Sequence, residues 1–77
     1  MASSTQINDA RREAGQHILF YYPDYKQRNA ALGIGFTAEQ TAQMVTFINA
    51  VRARCDEYEA AIEAGQTPVI DYLDITP

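Results

Sequence analysis

Seventy-seven residues give one domain and no more, and a chain this short buries only about 60% of its unfolded surface, so it folds with little to spare. The single cysteine, Cys55, excludes an internal disulfide, and one histidine beside it is too little for a structural zinc site. The formal charge of −4 is unevenly spread: all six basic residues lie between Arg11 and Arg54, and six carboxylates come after Cys55 without a base, which makes the C-terminal third a poor match for a polyanion.

No apolar run approaches the roughly 18 residues of a membrane span, and no charged-then-apolar leader opens the chain, so the expectation is a soluble protein, intracellular when made, with no membrane partner. No cofactor is expected.

In chain order, "MASS" is polar and reads as a frayed start. Ser3 and Gln6 form a candidate capping box, with Ser4 and Thr5 as competing caps. Ile7, Ala10, Ala14, Ile18 and Tyr21 then fall at spacings of 3, 4, 4 and 3, which is one stripe of a helix. Asp9, Arg12, Glu13 and Gln16 lie off it. Ala10, Ala14 and Gly15 are small enough to let a neighbouring helix come close, although Gly15 costs about 1 kcal/mol relative to alanine.

Pro23 removes a backbone donor and disfavours helical geometry at Tyr22, so the first helix stops or kinks there. Proline also suits the first position of a new helix, and Asp24 suits its positive end. Residues 23–32 are expected to form a short second helix closed by Gly33, the alternative being one long kinked helix. Gln27 and Asn29 are placed to hydrogen-bond backbone at this junction. "GIGF" reads as a turn, and Thr37 with Gln40 as a capping box for a third helix.

The third helix is the clearest element. Met44, Ile48, Val51, Cys55, Tyr58 and Ile62 recur at spacings of 4, 3, 4, 3 and 4, a heptad seam like that of a coiled coil. Nothing breaks it before Gly65, which is where a left-handed cap belongs; its length is then about 40 Å. Arg52 and Asp56 are spaced for an ion pair. The tail "QTPVIDYLDITP" has no helical period. If extended, it puts Val69, Asp71, Leu73 and Ile75 on one face, and Ile70, Tyr72 and Asp74 on the other.

The expected fold is therefore all-α: an antiparallel αα-hairpin over 1–65 with an extended arm over 66–77. Phe20, Tyr22, Val45 and Phe47 fall off or beside the seam. They imply a second apolar surface that meets another chain, a homo-oligomer or a different partner.

The chemistry-bearing residues are sparse. His17 and Cys55 would have to meet across the hairpin to act as base and nucleophile, and no orienting acid or oxyanion loop accompanies them, so both read as core and the chain as no enzyme. Asp56, Glu57, Glu59 and Glu63 lack the Glu-x-x-His pattern of a di-iron helix and read as a solvated face, so no metal is expected. "GIG" lacks the lysine and strand of a phosphate loop. Lys26 and Arg28 among Tyr21, Tyr22 and Tyr25 have the composition of a single-strand stacking patch. Two cations in an acidic chain instead favour packed rings at a corner, with no nucleic-acid partner.

"DARREAGQHILFYYPDYKQRN" followed by "FINAVRARCDEYEAAIEAG" resembles a short helical module of phage and prophage tail, or tail-fibre-associated, proteins. There a helix of the form A-R-x-E-A-x-x-x-I leads to a proline, an aromatic and K-Q-R-N. A second helix then carries a V/I-R-A motif and an acidic, alanine-rich end. The matching positions are Ala10, Arg11, Glu13, Ala14 and Ile18, then Pro23, Tyr25, Lys26, Gln27, Arg28 and Asn29, then Val51, Arg52, Ala53 and Glu59, within residues 9–65.

The resemblance implies a virion tail component, in the host cytoplasm before assembly, that is structural or assists tail-fibre assembly through protein–protein contact. It implies no catalytic residues. The candidate partner-binding residues are Tyr22, Tyr25, Lys26 and Arg28 at the corner and Val69, Ile70, Tyr72 and Leu73 on the arm, since aromatics and arginine favour such surfaces. The alternative function is a phage-encoded acidic inhibitor of a host protein, in which Asp56 to Glu63 mimic nucleic acid or cover a basic site.

Overall fold

The structure, a computed structural model, describes residues 2–77, with side chains from residue 4 onward. It contains three helices, α1 (Ala2–Tyr21), α2 (Asp24–Ala31) and α3 (Ala38–Glu63), and no strand among the described residues. The molecule is a rod of 43 × 17 × 16 Å, which the 26 residues of α3 nearly span. The Ser3 side chain of the candidate N-terminal box lies outside the described residues. Ser4 and Thr5 lie within α1, which begins at Ala2 and so includes most of the stretch expected to fray.

The helix ends obey the local chemistry. Pro23 caps α2 from outside, with φ −55° and ψ 159°, instead of occupying its first turn, and its carbonyl accepts from Lys26 N and Gln27 N. Gln27 Nε2 donates to Tyr22 O at 2.8 Å, the expected junction bond. At the other end Gly33, at φ 73°, lets its own N–H reach Ala30 O and that of Ile34 reach Asn29 O. Gly65, at φ 85°, does the same for α3: Gly65 N bonds Ile62 O and Gln66 N bonds Ala61 O. Both are Schellman caps, whose left-handed residue costs glycine least. Thr37 and Gln40 close the capping box reciprocally, at 3.1 and 2.9 Å.

α1 and α3 lie along each other with opposed chain directions: Arg11 meets Glu59 at one end, and Tyr21 meets Phe47 towards the other. The core is Ala10, Ala14, Phe47, Val51, Cys55 and Tyr72, flanked by Ile18, Tyr21, Tyr22, Ile48, Tyr58, Ile70 and Ile75. The α1 stripe and the α3 seam thus face each other. Phe47 departs from expectation, being buried in this core and not beside it. It lies three residues after Met44 and four before Val51, which is as good a seam position as Ile48. Tyr22 packs against it, ring centroids 5.7 Å apart, whereas Phe20 and Val45 stay exposed.

Three smaller expectations also change. A methyl group at Gly15 would meet nothing within 4 Å, so close helix approach is left to Ala10 and Ala14. Arg52 and Asp56 do not pair; the ion pairs formed among the described residues are Arg11–Glu59, Arg12–Asp9 and Arg54–Asp74. Residues 66–77 have no regular structure, and a turn closed by Ile75 N to Tyr72 O, at 3.0 Å, swings Ile75 to the core side with Ile70 and Tyr72.

Candidate functional site

The arm is held on the helix pair by four side chains that sequence spacing does not connect. Tyr72 lies over Ala10 and Ala14, where the small α1 residues leave room for a ring, and its hydroxyl donates to Ala10 O at 2.9 Å. Its ring stands edge-on to Tyr58 and stacks towards His17, at centroid distances of 5.5 and 6.2 Å. The Tyr58 hydroxyl donates to Asp71 O at 2.8 Å and accepts from Asp71 N at 3.1 Å, so one side chain satisfies both backbone groups of that residue. Arg54 forks onto both Asp74 carboxylate oxygens, at 3.0 and 2.9 Å, and also donates to Asp71 O. His17 Nε2 bonds Ile75 O at 2.7 Å; a carbonyl only accepts, so Nε2 carries the proton.

These contacts set the electrostatics. The fork from Arg54 holds the Asp74 carboxyl below the ordinary carboxylate range, and the same bond raises the guanidinium. Burial, then the neighbouring Cys55, pushes the Tyr72 phenol up. Burial likewise pushes the Cys55 thiol up, away from a reactive thiolate. His17 and Cys55 do not hydrogen-bond each other. The imidazole is spent on Ile75, and the thiol lies 3.6 Å from Glu59 Oε2. Glu59 is also tied to Arg11, while Asp56, Glu57 and Glu63 are exposed and form no ion pair among the described residues.

The candidate contact residues divide. At the corner, Tyr25 and Arg28 are exposed, Lys26 is half-buried, and Tyr22 is turned inward against Phe47. Tyr22 and Lys26 line a shallow cleft of about 360 Å³ with Phe36, Gln40 and Gln43. On the arm, Val69 and Leu73 project into solvent at 85% and 80% exposure. Ile70 is half-buried, and Tyr72, 4% exposed, is withdrawn from any docking surface. The alternation of the arm explains this split, since one face must cover the core.

A second cleft, of about 450 Å³, runs between the end of α1 and the arm. Glu13, Gln16, His17, Phe20 and Tyr21 form one bank, and residues 70–73 the other. Phe20, 78% exposed, stands edge-on to Tyr21 at its mouth. Phe20 lies off the seam, and no local spacing links it to Leu73; only the docking of the arm brings the two to one cleft. Comparison with family models, with curated proteins and with solved structures finds no significant match to this chain.

Proposed function

We propose that this chain works by contact, as a phage tail-associated structural or tail-fibre assembly protein. The finer architecture in this reading is an antiparallel αα-hairpin over 1–65 that presents the arm over 66–77. The observation that carries the contact reading is that the folded monomer leaves Phe20, Leu32, Val69 and Leu73 more than two-thirds exposed. Large apolar side chains left in water favour burial against another surface. The Pro-x-aromatic-Lys-Gln-Arg-Asn stretch, which resembles the tail module, supplies the phage setting. Tyr25, Lys26, Arg28, Val69 and Leu73 are the accessible contact residues, and the partners are other tail proteins, further copies of the chain, or both.

Mass spectrometry of purified particles tests this. The chain is expected in the virion, in the tail fraction; its absence from particles and presence in infected cytoplasm would favour the inhibitor reading. The exposed carboxylates of Asp56, Glu57 and Glu63 are the observation behind that second reading.

A further inference from the structure

The cleft between α1 and the arm has both a shape and a sign. Its apolar parts are Phe20 and Tyr21 on the α1 bank and Ile70, Tyr72 and Leu73 on the arm bank. Phe20 and Leu73 are 78% and 80% exposed, so neither is spent on the fold. Its charged parts are Glu13 and Asp71, one on each bank. Neither carboxylate forms an ion pair among the described residues. The nearby bases on α1 are committed elsewhere, Arg11 to Glu59 and Arg12 to Asp9. No lysine or arginine among the described residues lines the cleft. Asp71 Oδ1 accepts from Leu73 N at 2.9 Å, which fixes the carboxylate at the rim beside the leucine it orients.

An apolar slot with a carboxylate on each side is complementary to an apolar side chain carried between bases. A second copy docked cleft to cleft would instead bring the Glu13 and Asp71 carboxylates against carboxylates, in a chain of net charge −4. We infer that this cleft docks a segment of a different protein that presents an aliphatic or aromatic anchor flanked by lysine or arginine. The inference rests on the contact reading and specifies the partner surface.

The test uses the full chain, isotope-labelled for NMR, and two short synthetic peptides that share a Trp-Leu anchor, one flanked by lysines and one by glutamates. The lysine peptide is expected to shift the Phe20, Ile70 and Leu73 signals, and the glutamate peptide to leave them in place. Phe20→Ser should abolish the shifts without altering the fold. Glu13→Gln combined with Asp71→Asn, which keeps the Oδ1 acceptor, should weaken binding by about three- to tenfold and flatten its salt dependence.

Four results would overturn the assignment: equal binding of both peptides, no binding of either at millimolar concentration, shifts centred on Lys26 and Arg28, or a dimer in sedimentation that Phe20→Ser dissolves. The last would make a second copy the occupant. Any of them, with the chain still found in purified particles, would remove the cleft and leave the contact reading intact.

Discussion

Replacing Tyr72 by alanine asks whether residues 66–77 belong to the fold or merely trail from it. The ring is 4% exposed, in one cluster with Ala10, Ala14, Val51 and Cys55. Truncating a buried aromatic costs about 3–5 kcal/mol, and the lower end applies here because an irregular arm relaxes more easily than a helix. Tyr72→Phe separates the hydroxyl. The Ala10 carbonyl keeps its helical partner when the phenol is lost, so no acceptor is orphaned and the cost is about 0.5–1 kcal/mol. Total stability for a chain of this length is about 4–12 kcal/mol, so the alanine variant forfeits a quarter or more. In thermal melts monitored by circular dichroism, Tyr72→Ala should lower Tm by more than about 10 °C and Tyr72→Phe by about 2–8 °C. Superimposable melts of wild type and Tyr72→Ala would refute the reasoning, because the arm would then contribute nothing to the core.

Cys55 reports the same docking chemically: buried beneath Tyr72 with its thiol pushed up, it should alkylate slowly in the native chain and far faster in Tyr72→Ala, as a timed iodoacetamide reaction would show. Two glycine substitutions should move stability in opposite directions in urea unfolding. Gly65→Ala, at φ 85° with open space around the new methyl, should destabilise by about 1 kcal/mol from backbone strain alone, and Gly15→Ala, helical and equally unobstructed, should stabilise by about as much. On the alkaline side, the raised Tyr72 phenol contributes stability that is whole below its ordinary value of 10.0 and declines as pH climbs above it; urea melts on either side of that value should show the loss, reduced in Tyr72→Phe. On the acid side, the lowered Asp74 carboxyl contributes stability that is present above 3.8 and lost as pH falls through its folded value; Asp74→Asn should remove that component of the acid melt.

The helices were legible wherever their ends are set by chemistry that acts within four residues, which leaves out only the start of α1. Gly33 and Gly65 close left-handed caps, Thr37 and Gln40 bond each other, and Pro23 withholds a donor. The facing stripes were legible for the same reason, since helical period is a local property. Phe47 was misplaced because a 3.6-residue period permits two neighbouring seam positions between Met44 and Val51, and only the partner helix decides how deep each one sits. The docking of the arm was not legible at all. Ile70 and Tyr72 read as one of two possible faces with Ile75 on the other, and the turn that brings Ile75 to their side is held by His17 and Tyr58, residues with no sequence relation to it.

Two helices facing each other bury one stripe apiece, and the α1 stripe is built on Ala10 and Ala14, which have little side chain to contribute. That economy opens a trough along the pair, and a trough of apolar atoms is unstable in water until something fills it. Tyr72, with Ile70 and Ile75, supplies from the irregular arm the third element that a separate helix provides in a larger bundle. An irregular strap differs from a helix in one consequence: its alternate residues cannot all face inward. Covering the trough with Ile70 and Tyr72 necessarily turns Val69 and Leu73 outward. Leu73 thereby comes to stand opposite Phe20, so the cleft results directly from how the arm completes the core. A variant that releases the arm must dismantle the cleft as well, and loss of lysine-peptide binding should accompany loss of stability in Tyr72→Ala but not in Phe20→Ser, where binding alone should fail.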